Sequence, residues 1–113
     1  MENKSTIIYV KDGKEKIIII NKFNKKMICK KILKYLDSNE ISLLKFINYD
    51  FSDKDCCFDY YNFFGRDVEL IFKSCTFGEW YFKELEYLKL ENILEGELGG
   101  NISLENIEQV IIN

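Results

Sequence analysis

Residues 1–40 carry first a strand pattern and then a helix pattern of apolar positions. Two β-branched runs, residues 6–10 and 16–21, flank an Asp-Gly pair, which is a strong short-range signal for a β-hairpin. From Lys25 to about Asp37 the apolar residues recur at helical spacing, and Asn24 is placed to cap that helix. The pattern therefore predicts an N-terminal hairpin followed by one helix.

From residue 41 onward, short apolar segments share one spacing: an apolar residue stands three positions before an L-x-L pair. In a strand both named residues of that pair point to the same face, and a unit this short buries that face only against its neighbours. The units are Ile41-x-x-Leu44-x-Phe46, Asp67-x-x-Leu70-x-Phe72 (with Asp67 as a misfit), Leu85-x-x-Leu88-x-Leu90 and Ile107-x-x-Val110-x-Ile112.

Stacked units of this kind predict parallel strands near residues 18–20, 44–48, 70–74, 88–92 and 110–112. Connections between parallel strands need about a dozen residues or more, and the steps between units leave that room. The aromatic residues in 60–64 and 80–82 are expected to fill the arcs before the third and fourth strands.

The spacing resembles that of leucine-rich repeat proteins, L-x-x-L-x-L-x-x-N/C-x-L, over roughly residues 18–113. The Ile41 unit continues with Tyr49-x-Phe51 and the Asp67 unit with Cys75-x-Phe77, whereas the Leu85 unit departs from the pattern. The resemblance implies an α/β fold in a single domain 1–113, with a hairpin and helix cap in 1–40. Residues 41–113 would form a short degenerate leucine-rich-repeat-like solenoid with a parallel sheet. The alternative is a small α+β domain whose strands share L-x-L.

The composition is typical of a folded chain, and the two parts of the chain carry net charges of opposite sign. Apolar residues make up 47% and charged residues 31%, as in folded globular proteins. Residues 1–49 have a net charge of +6 and residues 50–113 of −9. The acidic part disfavours nucleic-acid phosphate and suits a basic protein partner, although both faces could simply be solvated. The polar first six residues and the short aliphatic runs predict a cytoplasmic protein that does not enter a membrane.

Few residues suit catalysis or metal binding. The chain has no His, the commonest general base, and its four Cys form no C-x-x-C pair. The carboxylates at residues 50, 53, 55 and 59 lack the spacing of a calcium loop, and the glycines at 96, 99 and 100 lack that of a phosphate-binding loop. We therefore expect no enzyme activity, no cofactor and no metal.

Two candidate contact surfaces follow from the predicted repeat sheet. One is a row on its concave side, and exposed isoleucines there hint at binding unless the hairpin or a second copy of the chain covers them. The other is a band of glutamates. The predicted partner-binding residues are Glu84, Glu86, Glu91, Glu95, Glu97, Ile47, Ile71, Lys73 and Lys89; Ile19, Lys45 and Ile111 belong to the same concave row.

A small, acidic chain of this layout, rich in Lys, Asn and Ile and without catalytic motifs, is similar to anti-CRISPR proteins. Its repeat-like layout resembles an inhibitor of the type VI-A RNA-guided RNase. That resemblance implies a stoichiometric inhibitor whose carboxylates meet the cationic groove of a nuclease. The chain also resembles immunity proteins, which neutralise a cognate nuclease toxin. A scaffold or homo-oligomer module without inhibitory activity is the third hypothesis.

Overall fold

The computed structural model describes residues 4–53, 57–95 and 101–111, without the side chains of residues 91–95 and 109. A 3-10 helix at Tyr60–Asn62 lies between the fourth and fifth strands. The other elements, in chain order, are β1 Thr6–Lys11, β2 Lys14–Ile19, α1 Lys25–Asp37, β3 Ile41–Ile47, β4 Asp50–Phe51, β5 Glu69–Lys73, β6 Thr76–Gly78, α2 Glu79–Glu95, β7 Ile102–Glu105 and β8 Gln109–Ile111.

These strands form two sheets in a compact α/β fold. The larger sheet has the order β2-β1-β3-β5-β7, and the smaller has the order β4-β6-β8. The hairpin pairs antiparallel with itself and with β3, while the pairs β3-β5 and β5-β7 are parallel. Both pairs of the smaller sheet are also parallel. The sheets together are therefore mixed but mostly parallel.

The predicted hairpin and the first helix are confirmed. Asp12 and Gly13 have φ of 55° and 74°, and positive φ at both central residues is the conformation that matches the twist of a hairpin. The helix runs over Lys25–Asp37 as expected. Asn24 lies at its first cap position, but its side chain bonds elsewhere: Nδ2 donates to the Ile19 carbonyl at 3.0 Å.

Two of the predicted units also pair as expected. Leu44 lies beside Leu70 and Phe46 beside Phe72, a step of 26 residues, and Phe51 lies beside Phe77 by the same step. Between the sheets the chain turns at Asn48, Ser74 and Asn106, whose φ values are 54°, 55° and 52°. The Asn48 amide donates to the Lys73 carbonyl at 3.0 Å and the Ser74 amide to the Glu105 carbonyl at 2.9 Å. The corners at Asn48, Ser74 and Asn106 therefore lie side by side and are joined by backbone hydrogen bonds.

A leucine-rich-repeat solenoid is not shown, because the larger sheet begins with an antiparallel hairpin and the second coil of chain, from β5 to β7, is longer than the first, from β3 to β5. Leu70 pairs with Ile102, a step of 32 residues instead of 26. Residues 18–20 do not form a parallel strand: 18 and 19 end the antiparallel edge strand β2, and Ile20 follows it. At the C-terminus, β7 continues the larger sheet, whereas β8 covers residues 109–111 and joins the smaller one.

The strand predicted at 88–92 is wrong, since these residues lie in α2. Tyr81, Leu85 and Leu88 are buried at the i, i+4, i+7 positions of one helix face. The L-x-x-L-x-L spacing is compatible with a helix face as well as with a strand. Leu90, the last residue of that pattern, is 57% exposed. The chain therefore has two α-helices among its described residues, where the sequence indicated one.

Buried aromatic and aliphatic side chains form one core cluster between the sheets and the helices. Phe46 stacks on Phe72 with ring centroids 5.4 Å apart, and Phe51 stacks on Phe77 at 5.2 Å. On the same face of the larger sheet, Tyr35 of α1 approaches Tyr9 of β1 at 6.0 Å. Helix α1 therefore lies over that face of the larger sheet, whereas α2 packs against β6 and β8 of the smaller sheet.

A matched pair of leucines in α2 tests the helix. Leu88 is 2% exposed and Leu90 is 57% exposed, so Leu88→Ala should lower the free energy of unfolding by about 2–5 kcal/mol. Leu90→Ala should change it by less than about 0.5 kcal/mol, because it removes few packed contacts. Urea denaturation of both variants measures the difference. Equal losses would contradict the helical assignment, since a strand would point both leucines inward.

Candidate functional site

Three of the predicted contact residues lie together on the uncovered face of the larger sheet. Ile47 pairs with Lys73, and Ile71 lies two residues before Lys73 on the same face. None of the aliphatic side chains on this face is fully buried, and Ile17 is 64% exposed. We call this surface the open sheet face; it consists of Ile8, Val10, Ile17, Ile19, Leu43, Ile47 and Ile71, with Lys45 and Lys73 among them.

The other predicted contact residues do not join that face. Lys89 lies in α2, and Ile111 lies in the smaller sheet, so their assignment to the concave row is wrong. Glu84 and Glu86 lie on α2, whereas the side chains of Glu91 and Glu95 and the whole of Glu97 fall outside the described residues. The hairpin does not cover the isoleucines, because β1 pairs with β3 and extends the sheet sideways.

A second surface forms where α2 meets the segment around the 3-10 helix. Trp80, Glu84 and Tyr87 lie at i, i+4 and i+7 of α2, so they share one helix face. Trp80 is 59% and Tyr87 is 62% exposed. Opposite them lie Tyr60 and Tyr61, since α2 packs against the 3-10 helix. Exposed aromatic side chains thus concentrate on both sides of one junction.

The chain's single arginine holds the 3-10 segment in place. Arg66 Nη2 pairs with Asp37 Oδ1 at 2.6 Å, and Nη1 donates to the Leu36 carbonyl at 3.2 Å. A cation at the C-terminal end of α1 is also favoured by the helix dipole. Within the segment, the Asp59 amide donates to Asn62 Oδ1 at 2.6 Å, and Gly65 has a φ of 70°. Arg66 therefore connects the position of the tyrosines to α1.

The junction encloses a cleft of about 180 Å³. The rings of Tyr60 and Tyr61 lie 4.1 Å apart, and the Trp80 ring lies 5.4 Å from Tyr60. The pKa of the Tyr60 hydroxyl is raised, first by a hydrogen bond with Tyr61, then by burial, and also by the nearby Glu84 carboxylate. We call this the aromatic cleft; it is lined by Tyr60, Tyr61, Phe64, Glu84, Tyr87 and Leu88.

Glu84 is the one ionisable carboxylate in the lining of the aromatic cleft. Among the side chains that the structure describes, no lysine or arginine nitrogen lies within 4.0 Å of it. Lys83, the preceding residue, pairs with Glu79 at 3.0 Å. The cleft therefore combines aromatic walls with a negative charge that no described cation neutralises.

The cysteines of the described chain are packed as core residues or partly exposed, and no disulfide joins them. Burial raises the pKa of the Cys29 thiol to about 12 and that of the Cys75 thiol to about 12. Cys75 donates to the Phe46 carbonyl at 3.4 Å. Both thiols are therefore neutral near pH 7 and poor nucleophiles. Cys57 is half-buried, and Cys56 lies outside the described residues.

Other kinds of site find less support within the described ranges. No group of three His, Cys, Asp or Glu side chains there could hold a metal ion. A hollow of about 580 Å³ includes Asp53 and Cys57 in its wall, and residues 54–56 between them lie outside the described residues. Neither described helix combines the length and apolar character needed to cross a membrane.

Comparison with known proteins gave no relative from which a function could be transferred. The sequence matches no protein-family model, no curated protein and no solved structure.

The aromatic cleft was not among the contact surfaces expected from the sequence. The aromatic residues around 60–64 and 80–82 were expected to fill arcs, and the structure buries Phe63 and Tyr81 but exposes Tyr61, Phe64 and Trp80. The helical spacing of Trp80, Glu84 and Tyr87 was the available signal. Interpreting 88–92 as a strand concealed it.

The buried thiols predict a pH dependence of stability. The folded state keeps Cys75 neutral up to about pH 12, while the unfolded chain ionises it from about pH 9. Its contribution to stability is therefore complete below about pH 9 and is lost as the pH rises toward 12.

The variant Cys75→Ala removes this contribution. Its free energy of unfolding should fall less than that of the wild type between about pH 8 and pH 10. Urea denaturation with a reducing agent at both pH values measures the two differences. Parallel losses in wild type and variant would show that the Cys75 thiol does not titrate differently on unfolding.

Proposed function

We propose that this protein is a stoichiometric protein inhibitor that binds and blocks a CRISPR RNA-guided nuclease of type VI-A. The observation that carries the proposal is the aromatic cleft with Glu84 in its wall. Trp and Tyr side chains dominate the energetic hot spots of protein interfaces, especially when they cluster. Trp80, Tyr61 and Tyr87 are such side chains, and all three are exposed at one junction.

The charge of the chain supports a basic partner. Residues 50–113, which contain the cleft, have a net charge of −9. A nuclease that holds RNA presents a cationic groove, because neutralising phosphates requires clustered Lys and Arg. Carboxylates around an aromatic centre complement such a groove and accelerate the encounter. Blocking the groove inhibits without turnover.

The experiment is a titration of target-RNA cleavage by a purified type VI-A RNA-guided RNase. Inhibition should be complete near one equivalent of the protein and should weaken as salt rises, because exposed charges are screened. The variant Glu84→Lys/Glu86→Lys should bind about tenfold more slowly or worse, since steering depends on charge. The control variant Glu15→Lys/Glu105→Lys makes the same change in net charge on exposed positions of the sheet.

If both double variants bound more slowly by the same factor, the effect would be one of net charge in general. If neither bound more slowly, the cleft would not be the contact. Turnover of a substrate by the protein alone would overturn the inhibitor proposal. If the RNA-guided RNase is unaffected while a nuclease toxin encoded beside the gene is neutralised, the protein is an immunity protein.

The open sheet face favours a second candidate, a module that assembles with a second copy of itself. Ile17 and Ile19 are exposed on the edge strand β2, and unprotected aliphatic edges promote pairing. Lys45 and Lys73 share the face with Glu15, Glu69 and Glu105. Two copies related by a two-fold axis could therefore place opposite charges across the contact.

Sedimentation velocity over a range of concentrations tests the assembly. The wild type should show a dimer that Ile17→Lys/Ile19→Lys dissociates, because the lysines place like charges at the contact. The variant Ile17→Val/Ile19→Val keeps the strand apolar and should still dimerise. A wild type that is monomeric throughout the range would rule out this candidate.

A further inference from the structure

We infer that the aromatic cleft binds an arginine side chain presented by a partner protein. The inference deepens the proposed function, on which it rests for the identity of the partner. The cleft measures about 180 Å³, and an apolar cavity of about 150 Å³ is large enough for a benzene molecule. Its size therefore suits the planar end of one side chain and is too small for a nucleotide.

The walls of the cleft favour a cation. The faces of aromatic rings carry negative electrostatic potential and attract cations within about 6 Å of the ring centre. Tyr60, Tyr61 and Tyr87 line the cleft together with Phe64. Aromatic rings can stack on a flat cation, and the same potential disfavours an anion.

Glu84 supplies the complementary charge. Its carboxylate lies in the cleft wall, and no described lysine or arginine pairs with it within 4.0 Å. An entering cation therefore displaces no ion pair among the described side chains. A carboxylate next to ring faces can accept two parallel hydrogen bonds from one planar donor group.

Guanidinium fits these features better than ammonium. It is flat, it stacks on aromatic faces, it is weakly hydrated, and it donates two parallel hydrogen bonds to a carboxylate. Lysine offers a compact and strongly hydrated charge without a stacking surface. Arginine is, with lysine, one of the two side chains that a nucleic-acid-binding groove presents in number.

The cleft is held in position before any partner binds. Arg66 fixes the 3-10 segment to α1 through Asp37 and the Leu36 carbonyl. Across the cleft, Leu85 and Leu88 anchor α2 in the core. A prepared site loses less conformational entropy on binding, which favours recognition of a single side chain.

The test uses the full chain and three small probes, N-acetyl-arginine amide, N-acetyl-lysine amide and N-acetyl-citrulline amide. Citrulline has nearly the shape of arginine but no charge. In NMR titrations, the arginine probe should shift the ring signals of Tyr60, Tyr61 and Tyr87 in a saturable way. The lysine probe should bind more weakly, and the citrulline probe should cause no saturable shift.

Two matched variants test which carboxylate binds the arginine. Glu84→Gln should weaken arginine binding about tenfold or more, because hydrogen bonds to a charged acceptor are the strong ones. Glu86→Gln removes a carboxylate from the same helix, outside the cleft lining, and should bind arginine as the wild type does. The amide spectra of both variants, compared with the wild type, report whether the fold is kept.

Saturable shifts of equal size with citrulline, no shift with arginine, or full arginine binding by Glu84→Gln would each overturn the inference. Other outcomes would refute the proposed function independently of this inference. Arginine binding by a protein that does not inhibit the nuclease would keep the cleft and refute the inhibitor. If Glu84→Gln lost arginine binding and still inhibited the nuclease, the inhibitor would stand, and the inference that the partner inserts an arginine into the cleft would be refuted.

Discussion

The fold depends on the in-register stacking of two coils of chain that are 26 residues apart. Phe46 stacks on Phe72 and Phe51 on Phe77, with interplanar angles of 10° and 11°. A slip by one residue would reverse the faces of the strands and expose these rings. The left-handed corners at Asn48 and Ser74 keep the two sheets aligned, because each turns the chain at the same position of its coil.

Stacked coils also bring their return segments together, and the aromatic cleft is the consequence. The first coil returns through the 3-10 helix Tyr60–Asn62 and the second through α2. Because β3 and β5 are neighbours, these two segments are neighbours as well. The cleft thus belongs to the architecture of the molecule, and the Arg66 contact with α1 adds a third support.

The larger sheet separates two surfaces of different character. Its covered face carries α1, and the aromatic cleft with Glu84 lies where α2 meets the segment around the 3-10 helix. Its open face carries isoleucines with Lys45 and Lys73. The first surface combines aromatic rings with a carboxylate, whereas the second has charges of both signs. The two surfaces therefore differ in their chemistry.

The sequence by itself determined the elements whose signals are local. Asp12-Gly13 specifies the hairpin, the helical spacing specifies α1, and two units with the same L-x-L spacing specify the pairing of β3 with β5. The tertiary structure alone decided between helix and strand at Leu85-x-x-Leu88-x-Leu90, because that spacing presents an apolar face in either conformation. The tertiary structure also creates the aromatic cleft, because the walls of the cleft come from two segments that are distant in sequence and are brought together by core packing.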